Sequence, residues 1–275
     1  MAHHRPCPIV LSILTVLLVI SGLILSSAPL PGIGSSPVAA QPSASCNDSA
    51  DGPRILAAYT VKGSQLTHRK GTDCLAARRI WQRFAQLIPE ARRPMVTRFE
   101  LLAQRERGAE VFQNRNLMSW TLGVSLGLQP DLDYILIHEF AHLLTLRAEQ
   151  VPPVTPRNYF TVERSCPTYF TGEGCSRGGS LINRFVQRYW PEQHQRISTR
   201  DSLSGRFPTL YSRFPGRFVN SYAATNPGED IAEAFATFVT RERPAPNNVG
   251  QRKVNFFWNR PAMVQIRREI RARRI

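Results

Sequence analysis

The chain has 275 residues, 42% of them hydrophobic, with 35 Lys and Arg against 20 Asp and Glu, a formal net charge of +15 and five cysteines. That apolar content excludes an intrinsically disordered polyelectrolyte, and the lack of any self-similar period excludes a repeat array. The length suits one sizeable domain, and arginine supplies nearly all the positive charge, since the only lysines are Lys62, Lys70 and Lys253.

In chain order, the first element is an address. After Arg5, the uncharged apolar run from Ile9 to Leu25 leads through a Pro/Ser/Gly stretch to Val38-Ala39-Ala40, the pattern of a secretory signal cleaved after Ala40. The stretch between Leu25 and Ala40 is long for a signal, so an uncleaved N-terminal anchor is the alternative; either outcome places the remainder outside the cytoplasm, extracellular or periplasmic. Residues 41–275 are then expected to form a single domain, with charge +14 because Arg5 is the only charged residue removed. Cys7 leaves with the signal. Cys46, Cys74, Cys166 and Cys175 remain, an even set suited to two disulfides in an oxidising compartment. Sequence neighbourhood favours Cys46 with Cys74 and Cys166 with Cys175, and the lack of C-x-x-C spacing disfavours a four-cysteine zinc site.

Arg54 to Val61 is short, apolar and β-prone and reads as a strand. Asp73 is placed to cap a helix in which Leu75, Ile80, Trp81, Phe84, Leu87 and Ile88 recur at helical spacing until Pro89. Met95 to Leu102 and Leu117 to Leu126 read as two further strands, the second expected to offer an edge to an extended peptide. Asp131-Leu132-Asp133 reads as a capping signal for a strongly apolar helix to about Arg147, ended by Pro152, Pro153 and Pro156. From there to about Ser180 the composition predicts a loop excursion stapled by Cys166 and Cys175. Leu181 to Trp190 reads as a short helix. Asn226 as N-cap and Pro227 in the first turn open another helix to about Arg241. A last helix starts near Pro261 and carries Arg267, Arg268, Arg271, Arg273 and Arg274, which read as a solvated face or as an attachment to anionic lipid or cell-wall polymer.

Inside the apolar helix stands His138-Glu139-Phe140-Ala141-His142, an H-E-x-x-H. Residues four apart share one face of a helix, so both imidazoles can reach one metal ion, with Glu139 beside them to take a proton from water. Two histidines and a glutamate among Leu132, Ile135, Leu136, Ile137, Phe140, Leu143 and Leu144 would be costly without partners. A catalytic zinc needs a third protein ligand and an open position. The extension H-E-x-x-H-x-x-G-x-x-H fails at Thr145 and Ala148, while His68 and His194 stand in polar segments without supporting pattern. A carboxylate is the better candidate, and Glu229 and Glu233 lie four apart on a helix lined with alanines. Glu229 also falls three residues after Asn226, where a glutamate is favoured for capping, so the ligand remains open between the two. Asp230 points about 100° away from Glu229 and is expected to be solvated.

With these residues the sequence resembles the gluzincin zinc peptidases, in which a helix-borne glutamate joins two H-E-x-x-H histidines and an acid four residues later supports a ligand histidine. The segment around Tyr222, seven residues before Glu229, looks most like anthrax lethal factor and related bacterial metallopeptidases. The resemblance implies His138, His142 and Glu229 as ligands to one Zn2+, Glu139 as general base, Glu233 behind a ligand histidine, and Tyr222 as a hydrogen-bond donor to the transition state. It covers roughly residues 131 to 147 and 219 to 241; Glu229 stands 87 positions after His142, farther than in the simplest gluzincins.

The resulting expectation is a secreted zinc metallopeptidase acting on protein or peptide substrates, with a zincin-like α+β fold: a small sheet, an H-E-x-x-H helix and a second Glu-bearing helix. The rival is a secreted basic zinc-binding or pseudo-peptidase module attached to anionic cell-envelope polymers, with the zinc structural or absent. A nucleic-acid partner is disfavoured, because it explains neither the export signal nor the buried H-E-x-x-H.

Overall fold

The computed structural model describes residues 43, 45–106, 108–127, 131–190 and 207–274. Contacts separate Met1–Ala40 from Gln41–Ile275, and the expected signal lies outside the described residues. Among those described, no helix is long and apolar enough to cross a membrane.

The chain is a mixed α+β structure built on one five-stranded sheet. Strand β1 (Ile55–Lys62) turns at Gly63, whose positive φ of 60° suits a residue without Cβ, into β2 (Gln65–Gly71). β2 was not expected as a strand: its polar residues lie almost wholly exposed on the sheet's outer margin, so no alternation marks them. Helix α1 (Leu75–Leu87) follows, burying Ala77, Ile80, Trp81, Phe84 and Leu87. Strands β3 (Val96–Leu102), β4 (Ala109–Gln113) and β5 (Trp120–Ser125) complete the sheet in the order β2-β1-β3-β5-β4. β3 and β5 run parallel; the other neighbours are antiparallel.

This order corrects one expectation. β5 is not an edge: every one of its residues is buried, and it lies between β3 and β4. The two edges belong to β2 and β4, which strand order alone could reveal.

Helix α2 (Leu132–Leu146) is buried along nearly its whole length, as its all-round apolar sequence requires. After it come α3 (Tyr159–Ser165), α4 (Leu181–Tyr189), α5 (Phe207–Arg213), α6 (Pro227–Thr240), α7 (Val249–Trp258) and α8 (Pro261–Arg271). α3 lies within the stretch expected to be loop, and α7 was not expected. The Asn248/Gln251 capping box, in which each side chain bonds the other residue's backbone, was the readable sign of α7. α6 packs on α2 more extensively than any other two helices pack together. Ala232, Ala234 and Ala236 of α6 are all fully buried.

Two expected caps are spent elsewhere. Asp73 and Asp131 make no side-chain cap to α1 or α2. Asp73 instead accepts from Arg78 and from the Tyr59 hydroxyl, and near α2 it is Asp133 that binds, taking a two-pronged contact from Arg83 at 2.7 and 2.6 Å. A guanidinium opposite a carboxylate offers two charge-assisted bonds where a cap offers one. The cysteines pair as Cys46–Cys74 and Cys166–Cys175, with Cα separations of 5.2 and 5.6 Å. The C-terminal arginines are not simply solvated. Arg267 donates to the carbonyls of Phe238 and Arg241, and Arg271 to Glu242, so they close the C-terminal end of α6.

Candidate metal centre

α2 presents His138 and His142 on one face, both buried, and α6 brings Glu229 against them. His138 Nε2 lies 3.0 Å from Glu229 Oε2 and 3.1 Å from His142 Nε2, and His142 Nε2 lies 3.3 Å from Glu229 Oε2. The three donors therefore form a nearly equilateral triangle. A tetrahedral ion with ligands at about 2.0–2.1 Å requires donor separations of roughly 3.3 Å, so this donor set fits one metal ion of zinc's size.

The local reason Glu229 is available is backbone capping. Asn226 accepts from the Glu229 N–H at 2.9 Å, so the helix start is satisfied by Asn226 and the Glu229 carboxylate is left to the histidines. The cap is therefore Asn226's, and the Glu229 carboxylate turns to the histidines instead of reaching back to the helix start.

Glu233, one turn later, approaches the other nitrogen of His138: its Oε1 lies 2.9 Å from Nδ1. Its Oε2 accepts from the Tyr134 hydroxyl at 2.5 Å and from Asn220 Nδ2 at 2.6 Å. Tyr134 and Asn220 were not singled out from sequence. Tyr134 stands four residues before His138, the spacing that puts it on the same helix face, and this was the available sign.

Electrostatics follow from burial against pairing. Burial alone would lower the His138 pKa, but its contacts with Glu229 and Glu233 outweigh that and push it up to about 10. Burial alone would raise both acids, but Glu229 is held below the usual carboxylate range by His142 and His138, and Glu233 by His138, Tyr134 and Asn220. Metal binding at such a cluster requires neutral imidazoles, so it would be coupled to proton release. Glu139 is the contrast. It is buried, its Oε2 has no hydrogen-bond partner among the described residues, and desolvation pushes its pKa up despite the neighbouring histidines.

A cleft of about 420 Å³ opens on this cluster, lined by His138, Glu139, His142, Glu229, Tyr222, Leu146, Glu173 and all five residues of β4. Tyr222 stands half exposed in a 3₁₀ turn with its ring 5.9 Å from that of His138. Burial of the hydroxyl and the nearby Glu229 raise its pKa. β4 turns alternate peptide groups away from β5: Gly108 O accepts from Ser125 N and Asn114 N donates to Ser119 O, so Ala109, Val111 and Gln113 direct theirs to the open edge.

Asp230 departs from expectation. It is fully buried, with Oδ2 accepting from Trp190 Nε1 at 2.8 Å and lying 2.5 Å from Lys253 Nζ. The face of α6 opposite the histidines is covered by α7 and the end of α4, so an angle on the helical wheel did not amount to exposure.

No family model and no curated protein matches the chain. Among solved structures, a candidate zinc-binding metallo-peptidase from Bacteroides caccae is similar at 14% identity and a TM-score of 0.35, with 82% of each chain covered. A likeness this distant assigns neither family nor activity.

Proposed function

We propose that the chain is a secreted zinc-dependent metalloendopeptidase of zincin-like fold, with His138, His142 and Glu229 holding Zn2+. The observation that carries this reading is the triangle of three donors beside a buried Glu139, whose Oε2 has no hydrogen-bond partner among the described residues, at the foot of a cleft. Zinc bound there would supply a Lewis acid that polarises a scissile carbonyl and acidifies water. Glu139, its pKa raised by burial, accepts a proton from water and delivers it to the leaving amine. Tyr222 stays protonated and donates to the oxyanion. Glu233 holds His138 by its second ring nitrogen, fixing the ring's orientation. An extended peptide pairs with Ala109, Val111 and Gln113 on β4, taking the role expected of β5. The paired cysteines support an extracytoplasmic site of action.

The test is metal analysis of the purified protein together with cleavage of an unbiased peptide library with and without chelator. One zinc per chain and chelator-sensitive cleavage are expected. Glu139→Gln should keep the zinc and lower the cleavage rate by about 10²–10⁴; undiminished cleavage in that variant removes Glu139 from the mechanism. Zinc without cleavage of any peptide would favour the basic zinc-binding module on anionic envelope polymer.

A further inference from the structure

Lys253 is one of three lysines in the chain, and its side chain is completely buried. Its ammonium lies 2.5 Å from Asp230 Oδ2 and 4.1 Å from the centroid of the Phe218 ring. Trp190 donates to the same Asp230 oxygen and stacks edge-on against Phe218, with ring centroids 5.8 Å apart. α7 approaches the Phe218 backbone closely as well: Gly250 N donates to Gly216 O, and a Cβ at Gly250 would stand 3.0 Å from the Phe218 carbonyl.

These contacts converge on two parts of the metal centre. Asp230 is the residue after Glu229, so a bond that fixes Asp230 fixes the rotation of α6 about its axis at the first turn. Phe218 begins the segment that carries Asn220, the donor to Glu233, and Tyr222 on the cleft wall. Asn220 also accepts from Ala223 N at 2.9 Å, which ties the Tyr222 turn to the same segment. A buried ion pair adds little stability over apolar side chains of similar volume, because desolvating both charges offsets their attraction. An apolar pair would hold α7 on α6 equally well. What Lys253 adds is a meeting point: one ammonium stands against one carboxylate oxygen and one ring face at once.

We propose that Lys253 is a positioning residue for the metal centre, setting Glu229 through Asp230, and Asn220 and Tyr222 through Phe218. This rests on the metal reading of the His138, His142 and Glu229 cluster, and it assigns Lys253 no contact with substrate. The experiment compares the parent with Asp230→Leu/Lys253→Met, in which both charges become apolar, and with Asp230→Asn/Lys253→Gln, which keeps a hydrogen bond. Val254→Ala, a buried truncation on the same helix, serves as a control for lost stability. Three quantities are measured: thermal unfolding of the metal-free protein, zinc affinity by competition with a chromophoric chelator, and the absorption spectrum of the cobalt(II)-loaded protein.

The apolar pair is expected to unfold cooperatively near the parent temperature, to lose about tenfold or more in zinc affinity, and to change the cobalt spectrum. The Asn/Gln pair should recover most of the affinity, and Val254→Ala should lower the unfolding temperature while keeping parent affinity. An apolar pair with parent affinity and parent spectrum would overturn the proposal while leaving the metal reading intact. Failure of that pair to fold, with Val254→Ala folded, would also overturn it, because the ion pair would then be a requirement of the fold itself. A parent that binds neither zinc nor cobalt overturns the metal reading and this inference together.

Discussion

Helix α6 buries acids on two faces. On one, Glu229 and Glu233 meet two imidazoles and are held below the usual carboxylate range. On the other, Asp230 meets an ammonium and an indole, and desolvation still pushes its pKa up. Both faces bury charge, yet only the first pairs it with imidazoles, whose neutral nitrogens are common metal ligands. The second pairs it with an ammonium packed against the Phe218 ring, which burial pushes toward its neutral form. Burial of an acid is therefore common to both faces, and the chemistry of its partner is what separates a site from a brace.

The sharpest way to break the comparison is to remove one partner from the brace. Lys253→Met leaves Asp230 buried without its cation and should cost about 3–5 kcal/mol, read by denaturant unfolding. A loss under 1 kcal/mol would remove Lys253 as the charge that compensates Asp230. On the other face, Glu233→Gln should weaken zinc binding by about 10- to 100-fold with the fold retained, because His138 loses the charged group at its second nitrogen. Titration of the variant with zinc against a chelator checks this. Tyr134→Phe removes one donor to Glu233 and should cost about 0.5–1.5 kcal/mol of stability, measured by thermal unfolding of the metal-free protein.

The smallest effect belongs to a pair outside both faces. Arg92 holds Glu269 of α8 at 2.7 and 2.9 Å and lowers the Glu269 pKa to about 2. A depressed carboxylate contributes stability that is present above its unfolded value near 4.5 and lost as pH falls through about 2. Solvent screening of this partly exposed pair keeps the contribution to about 0.2–1 kcal/mol. The difference between the parent and Glu269→Gln, followed by unfolding from pH 6 to pH 2, should shrink toward zero at the acid end.

What could be read beforehand follows the range of the interaction involved. His138 and His142 were legible because helical spacing is local, and Asn226 because a cap acts over three residues. β4 was not, being five residues long with no clean alternation, and its edge position depends on how strands assemble. Asp230 was misjudged for the same reason: its environment is made by Lys253 and Trp190, 23 and 40 residues away in the chain. Tyr134 lay within reach of local reasoning, since it shares a helix face with His138. Asn220 did not, because its partner Glu233 is reached only through the fold.

The Cys166–Cys175 bond closes a ring of ten residues, and within it Glu173 stands in the wall of the cleft. The cleft therefore takes its shape from three materials: a buried helix, a sheet edge, and a covalent hoop whose reach is limited by chain length. The first two yield only when the core melts. The hoop is fastened twice, by its own covalent bond and by Tyr169, which packs into the core, so Glu173 is held on the cleft wall by sequence-local and long-range contacts together.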